Sequence, residues 1–128
     1  MEHSMAEDMD AMLESIVARQ KRENARYQRE VDARVRKARR FIQSVPAALL
    51  RLDPALRRIV LFGSLASGAV NRLGFDIDLA VDSDRYLRIV DWSLDQPWRI
   101  DVIDLSAIDE AFIHEIENKG KMLYEAKR

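Results

Sequence analysis

The feature that most constrains this chain is a pair of short apolar runs on either side of a glycine–serine step. Ile59-Val60-Leu61-Phe62 ends in Gly63-Ser64, and after a loop comes Phe75-Asp76-Ile77-Asp78-Leu79-Ala80-Val81. Side chains alternate along a strand, so Asp76 and Asp78 share one face while Ile77, Leu79 and Val81 share the other. Two carboxylates held side by side repel and raise each other's pKa unless a cation lies between them. The pattern therefore points to a divalent metal at the rim of a sheet, and hard oxygen ligands suit Mg²⁺.

Composition sets the outer bounds. A chain of 128 residues fits one domain with a modest core. The net charge of −1 creates no field that would mark a nucleic-acid binder, so no direct nucleic-acid binding is expected. The absence of cysteine excludes disulfides, thiolate catalysis and cysteine-based zinc sites. No His-x-x-x-His spacing is present, His3 lies in a tail, and His114 is expected at or near the surface, so zinc is not expected. No apolar run approaches the ~20 residues of a membrane-spanning helix. Met1-Glu2-His3-Ser4 leads into acids and not into a basic region followed by an apolar one, which makes a cytoplasmic protein the expectation.

From Met5 to about Gln43 there is neither proline nor glycine, and good helix formers dominate, which predicts a long N-terminal helix. Met5, Met9, Met12 and Ile16 recur as one helix face requires, and the stripe resumes at Tyr27, Val31, Val35, Ala38 and Ile42. The start is acidic (Glu2, Glu7, Asp8, Asp10, Glu14), and the part from Arg19 to Arg40 is basic. The Met-rich stripe suits a protein partner, self-association, or packing on the chain's own sheet. It is therefore a candidate surface for homo- or hetero-oligomers. Pro46 is expected to end or kink the helix, with Ala47–Leu52 continuing it.

The spacing then predicts strands over Arg58–Phe62, Asp76–Val81, Trp98–Leu105 and Lys121–Glu125, the last at an edge. Helices are expected to start at Ser64, over Arg85–Leu94 and over Ala107–Asn118, stopped by Gly120. In the second of these, Leu87, Val90 and Leu94 are expected on one side. In the third, Ile108, Phe112, Ile113 and Ile116 should form the buried face. Trp92 and Trp98 are expected to pack the short helix onto the sheet. Strands alternate with helices, so the class is α/β, with a small mixed sheet, flanking helices and a long N-terminal helix. Residues 1–44 read as a helical extension and 45–128 as the α/β domain.

The third strand carries Asp101 and Asp104, three apart and therefore on opposite faces. Only one can join Asp76 and Asp78. Asp101 sits deep in the apolar run, where an unpaired carboxylate is costly, whereas Asp104 at the strand end needs only exposure or a helix to cap. Asp101 is therefore the expected third acid. Three such acids can bind two divalent ions, which activate an attacking oxygen and neutralise a leaving pyrophosphate. Gly63 lets the backbone approach a phosphate without a Cβ in the way, and Ser64 with the adjacent N–H groups can donate to phosphate oxygens.

Leu61-Phe62-Gly63-Ser64-Leu65-Ala66-Ser67-Gly68, with Asp76-Ile77-Asp78-Leu79-Ala80-Val81 and Ile100-Asp101-Val102, resembles the minimal nucleotidyltransferase family of the DNA polymerase β-like superfamily. The likeness runs from about Val45 to the C-terminus. It implies the polymerase β-like fold, with the Gly63-Ser64 turn holding the triphosphate of ATP. It also implies that Asp76 and Asp78 ligate both Mg²⁺ ions, and that Asp101 binds one and helps deprotonate the acceptor. Family members of this short type act as antitoxins, transferring AMP to a tyrosine of a HEPN-domain RNase toxin. The family often has Arg where this chain has Ser67, and Ser where it has Phe75. Arg72, in the same loop, is the cation expected to contact the nucleotide instead.

Overall fold

A 48-residue helix, α1 (Met5–Leu52), is the longest element of the chain. At 1.5 Å per residue it spans about 70 Å. The computed structural model describes residues 4–127, so Glu2 of the acidic start and His3 of the tail lie outside the described residues. Ser4 caps α1 by accepting from the Glu7 N–H at 3.2 Å. Pro46 lies inside the helix and does not end it. Val45 and Leu49, on either side of Pro46, are fully buried, and that packing outweighs the hydrogen bond that proline cannot donate.

The remaining elements follow in the order β1 (Arg58–Phe62), α2 (Gly63–Ser67), β2 (Ile77–Asp82), α3 (Tyr86–Leu94), β3 (Ile100–Asp104), a 3₁₀ turn (Leu105–Ala107), α4 (Glu110–Lys119) and β4 (Lys121–Glu125). The strands form one mixed sheet in the order β3-β2-β1-β4. β1 is antiparallel to both β2 and β4, while β2 and β3 run parallel through the α3 crossover. β4 is an edge strand, and its register against β1 shifts between Ile59 and Val60, a bulge of the kind that disfavours further edge pairing.

The two faces of the sheet are covered unequally. Ile59, Leu61, Ile77, Leu79 and Val81 pack against Ala38, Ile42, Val45 and Leu49 of α1 and Ile89 of α3 in the main core. The opposite face buries Val60 and Ala80 under Leu105 and Ile116 in a smaller cluster. No helix among the described residues is long and apolar enough to cross a membrane.

Two helix faces differ from expectation. On α3, Ile89 and Ser93 are buried, whereas Leu87 and Leu94 are 75% and 76% exposed. Tyr86 explains the rotation, since its hydroxyl donates to the Val102 carbonyl at 2.6 Å and turns that side of α3 toward β3. On α4, Ile116 is buried and Ile113 is half-buried, as is Ile108 just before the helix, but Phe112 is exposed because only a narrow stripe of α4 meets the sheet. Asp109 caps α4 through the Phe112 N–H at 2.8 Å, and Asp104 caps the 3₁₀ turn through the Ser106 N–H at 3.0 Å. Trp92 and Trp98 reach further than the sheet. Phe41 of α1 stacks on Trp92 at 6.2 Å, and Trp98 lies between Phe41 and Phe75, each about 6.1 Å away.

The first buried side chain of α1 is Val31; Met5, Met9, Met12, Leu13, Ile16 and Val17 are all exposed. The Met-rich stripe therefore does not pack on the chain's own sheet. Leu49→Ala should lower unfolding free energy by about 3 kcal/mol, while Met12→Ala should change it by less than about 0.5 kcal/mol. Urea unfolding followed by circular dichroism separates the two.

Candidate functional site

β1 ends where the chain must reverse, and Gly63 makes that possible with a φ of +75°, a conformation that costs other residues roughly 1–2 kcal/mol. Gly63 meets a second demand as well. A Cβ on Gly63 would lie 2.1 Å from Oδ2 of Asp78, so the carboxylate occupies the place of the missing side chain. The register explains the approach, because Phe62 pairs with Asp78 across the antiparallel ladder.

On the other side β2 pairs with β3, and Asp78 stands directly beside Asp101 in a parallel register. Paired residues point to the same face, so Asp101 and not Asp104 joins Asp78. The apolar neighbours of Asp101 suggest burial, but Asp101 is exposed. β3 is the outer strand of the sheet, so Asp101 has a paired strand on one side only. Asp76 precedes β2 on the same face and forms an ion pair with Arg99 at 3.3 Å. Burial, and then the negative charges of Asp101 and Asp76, push the Asp78 carboxyl above its ordinary value of 3.8.

A cleft of about 390 Å³ opens at this end of the sheet, lined by Ser64, Ala69, Val70, Asn71, Arg72, Phe75, Asp76 and Asp78. It brings Ser64, Arg72 and two of the three acids around one space, with Gly63 beneath Asp78 and Asp101 beside it. Ser67 does not line it; its hydroxyl donates back to the Ser64 carbonyl at 3.3 Å. Phe75 is buried against Trp98, which accounts for an aromatic residue before the first acid.

The donor chemistry suits a hard divalent cation, since three carboxylates gather on one face and one already resists ionisation. Among the described residues, no three acidic, histidine or cysteine side chains already converge on one metal position. Asp76 lines the cleft while also pairing with Arg99. Patterning along the chain does not single out Arg99, and its position one residue before β3 is the only local signal it carries.

The opposite end of the strands holds a second cleft of about 370 Å³ between Arg57, Arg58, Asp82 and the chain after Glu125. Its arginines are already paired. Arg57 bonds Asp82 at 2.8 Å and Asp84 at 3.1 Å, and Arg58 pairs with Glu117.

The fold is that of a nucleotidyltransferase. The family described as "Polymerase beta, Nucleotidyltransferase" matches residues 47–128, and the chain belongs to it. A comparison with curated proteins finds no match. Among solved structures, one similar chain comes from a crystal structure of a toxin–antitoxin with AMP-PNP. It is 26% identical with a TM-score of 0.53, over 66% of this chain and 74% of that one. A chain of a mutant toxin–antitoxin MntA-HpeT, 24% identical with a TM-score of 0.53 over 66% of this chain and 74% of that one, shares the fold.

Gly63→Ala should lower unfolding free energy by about 1–2 kcal/mol through its backbone alone. It should also displace the Asp78 carboxylate, visible as a loss of the raised Asp78 pKa in an NMR titration. Asp78→Asn should raise the melting temperature at pH 7 by about 2 °C, a small gain because the group is partly solvated. The folded pKa is raised, so the cost of ionising Asp78 appears as pH rises above 3.8 and is absent below it. The variant's advantage should therefore vanish below about pH 4.

Proposed function

We propose that the chain transfers AMP from ATP to a hydroxyl of a HEPN-domain toxin, a tyrosine side chain, and so acts as its antitoxin. The observation that carries this reading is the single cleft that joins Ser64, Arg72, Asp76 and Asp78. The likeness to a toxin–antitoxin chain crystallised with AMP-PNP supports both the nucleotide and the kind of partner.

In this reading Asp76, Asp78 and Asp101 would hold two Mg²⁺ ions, whose chemistry would be to offset the charge of the triphosphate and of the departing pyrophosphate. The Ser64 hydroxyl and the backbone N–H groups of the turn donate to phosphate oxygens, and Arg72 adds a cation from the loop. Asp101, exposed on the outer strand, faces solvent from which the acceptor hydroxyl arrives. The hydroxyl oxygen bonds to the α-phosphorus, the bond to pyrophosphate breaks, and Asp101 takes the proton. Positioning and charge supply the acceleration.

The exposed Met5–Val17 stripe favours a second reading, in which the chain is a catalytically weak or inactive subunit that neutralises the partner by contact alone. A small-molecule acceptor is the remaining alternative. Incubation with ³²P-ATP labelled at the α-phosphate, Mg²⁺ and the protein encoded by the adjacent gene separates them. Label should appear on the partner, vanish with EDTA, and fall at least about 100-fold in Asp78→Ala. Tight partner binding without label, unchanged in Asp76→Ala and Asp78→Ala and lost on deleting residues 1–18, would establish the contact reading instead.

A further inference from the structure

The loop between α2 and β2 carries Asn71 and Arg72 into the cleft, and its next residue, Leu73, is held on both sides by α1. The Leu73 N–H donates to the Tyr27 hydroxyl at 3.0 Å. The Leu73 carbonyl accepts from Nε of Arg34 at 3.2 Å. Tyr27 and Arg34 are seven apart, two helical turns, and so lie on one face of α1. Arg34 is itself fixed, because its guanidinium lies 4.6 Å over the Trp98 ring, which packs against Phe41 and Phe75. A second arginine of α1, Arg39, donates to the Leu65 carbonyl of α2 at 3.1 Å. The basic stretch of α1 thus grips both α2, which begins at the Gly63-Ser64 turn, and the loop that follows it.

We infer that Tyr27 and Arg34 are positioning residues for the nucleotide loop, holding the Leu73 peptide so that Arg72 is presented to the cleft. Neither side chain lines the cleft, and both act through the loop backbone. A loop that is free before binding must be ordered when nucleotide enters, and that cost appears as weaker binding. A loop already clamped avoids it. The clamp also makes the helix part of the site, although its residues are 39 and 46 positions from Leu73 in the chain. The inference deepens the nucleotidyltransferase reading and rests on it for the identity of the ligand.

The test uses the full chain, Tyr27→Phe and Arg34→Lys. Tyr27→Phe keeps the ring and removes the acceptor oxygen from a side chain that is 42% exposed, so the fold should persist, with an unchanged melting temperature as the control. Amide hydrogen exchange at Leu73 should quicken about 5- to 10-fold in Tyr27→Phe, with the core strands unaffected. The dissociation constant for Mg²⁺-ATP, and KM where transfer is measured, should rise about 5-fold in either variant, with kcat changed less than about 2-fold. Unchanged Leu73 exchange in Tyr27→Phe overturns the clamp. Faster exchange with unaltered nucleotide affinity overturns its positioning role. Failure of the wild-type chain to bind Mg²⁺-ATP overturns the nucleotide reading and that role together, and is told apart because the exchange result still reports the clamp.

Discussion

The site depends on one close approach, that of the Asp78 carboxylate to a backbone position with no side chain. Any Cβ at Gly63 would overlap Oδ2 of Asp78, and the same glycine turns the chain through a positive φ. The end of β1 and the acid-bearing start of β2 are therefore one unit. The turn that a phosphate would approach and the carboxylate that would face it are positioned by each other. The raised pKa of Asp78 is the electrostatic side of this arrangement, since the carboxylate is held partly out of water beside two like charges. Such a site works against the fold's stability, as functional sites commonly do.

The helix α1 has two parts with different physical roles. From Val31 onward it supplies the wall of the main core, and its arginines, with Tyr27, reach across to α2 and the cleft loop. Its first turns, from Met5 to Val17, carry an apolar stripe in solvent. The segment 5–18 bears Glu7, Asp8, Asp10 and Glu14 and no cation, so pairing the stripe with itself would set like charges together.

Much of the fold is legible in the sequence because it rests on local rules. β1 occupies the residues its β-branched run indicates, Gly63 ends it, and the two-residue spacing of Asp76 and Asp78 puts them on one face through strand alternation alone. Local patterning fails where tertiary packing chooses among faces that it cannot rank. Leu87 and Leu94 look like the buried side of α3 until Tyr86 is seen bonded to Val102. Asp101 has the apolar neighbours of a buried residue and is exposed, because nothing in the local pattern identifies β3 as the outer strand. Pro46 reads as a break in isolation, but the buried residues around it keep the helix whole.

The sequence by itself determined the periodicities: a glycine where φ must be positive, two acids two residues apart on a strand, and a long segment free of breakers. These are properties of neighbours along the chain, and alternation or helical pitch converts them directly into faces. Only the tertiary structure decided which separate segments meet. It set Asp101 beside Asp78, drew Asp76 to Arg99, and closed Tyr27 and Arg34 on Leu73. Those contacts depend on sheet order and on the path of α1 across the sheet, which arise from burying the whole core at once and leave no mark in any short stretch of sequence.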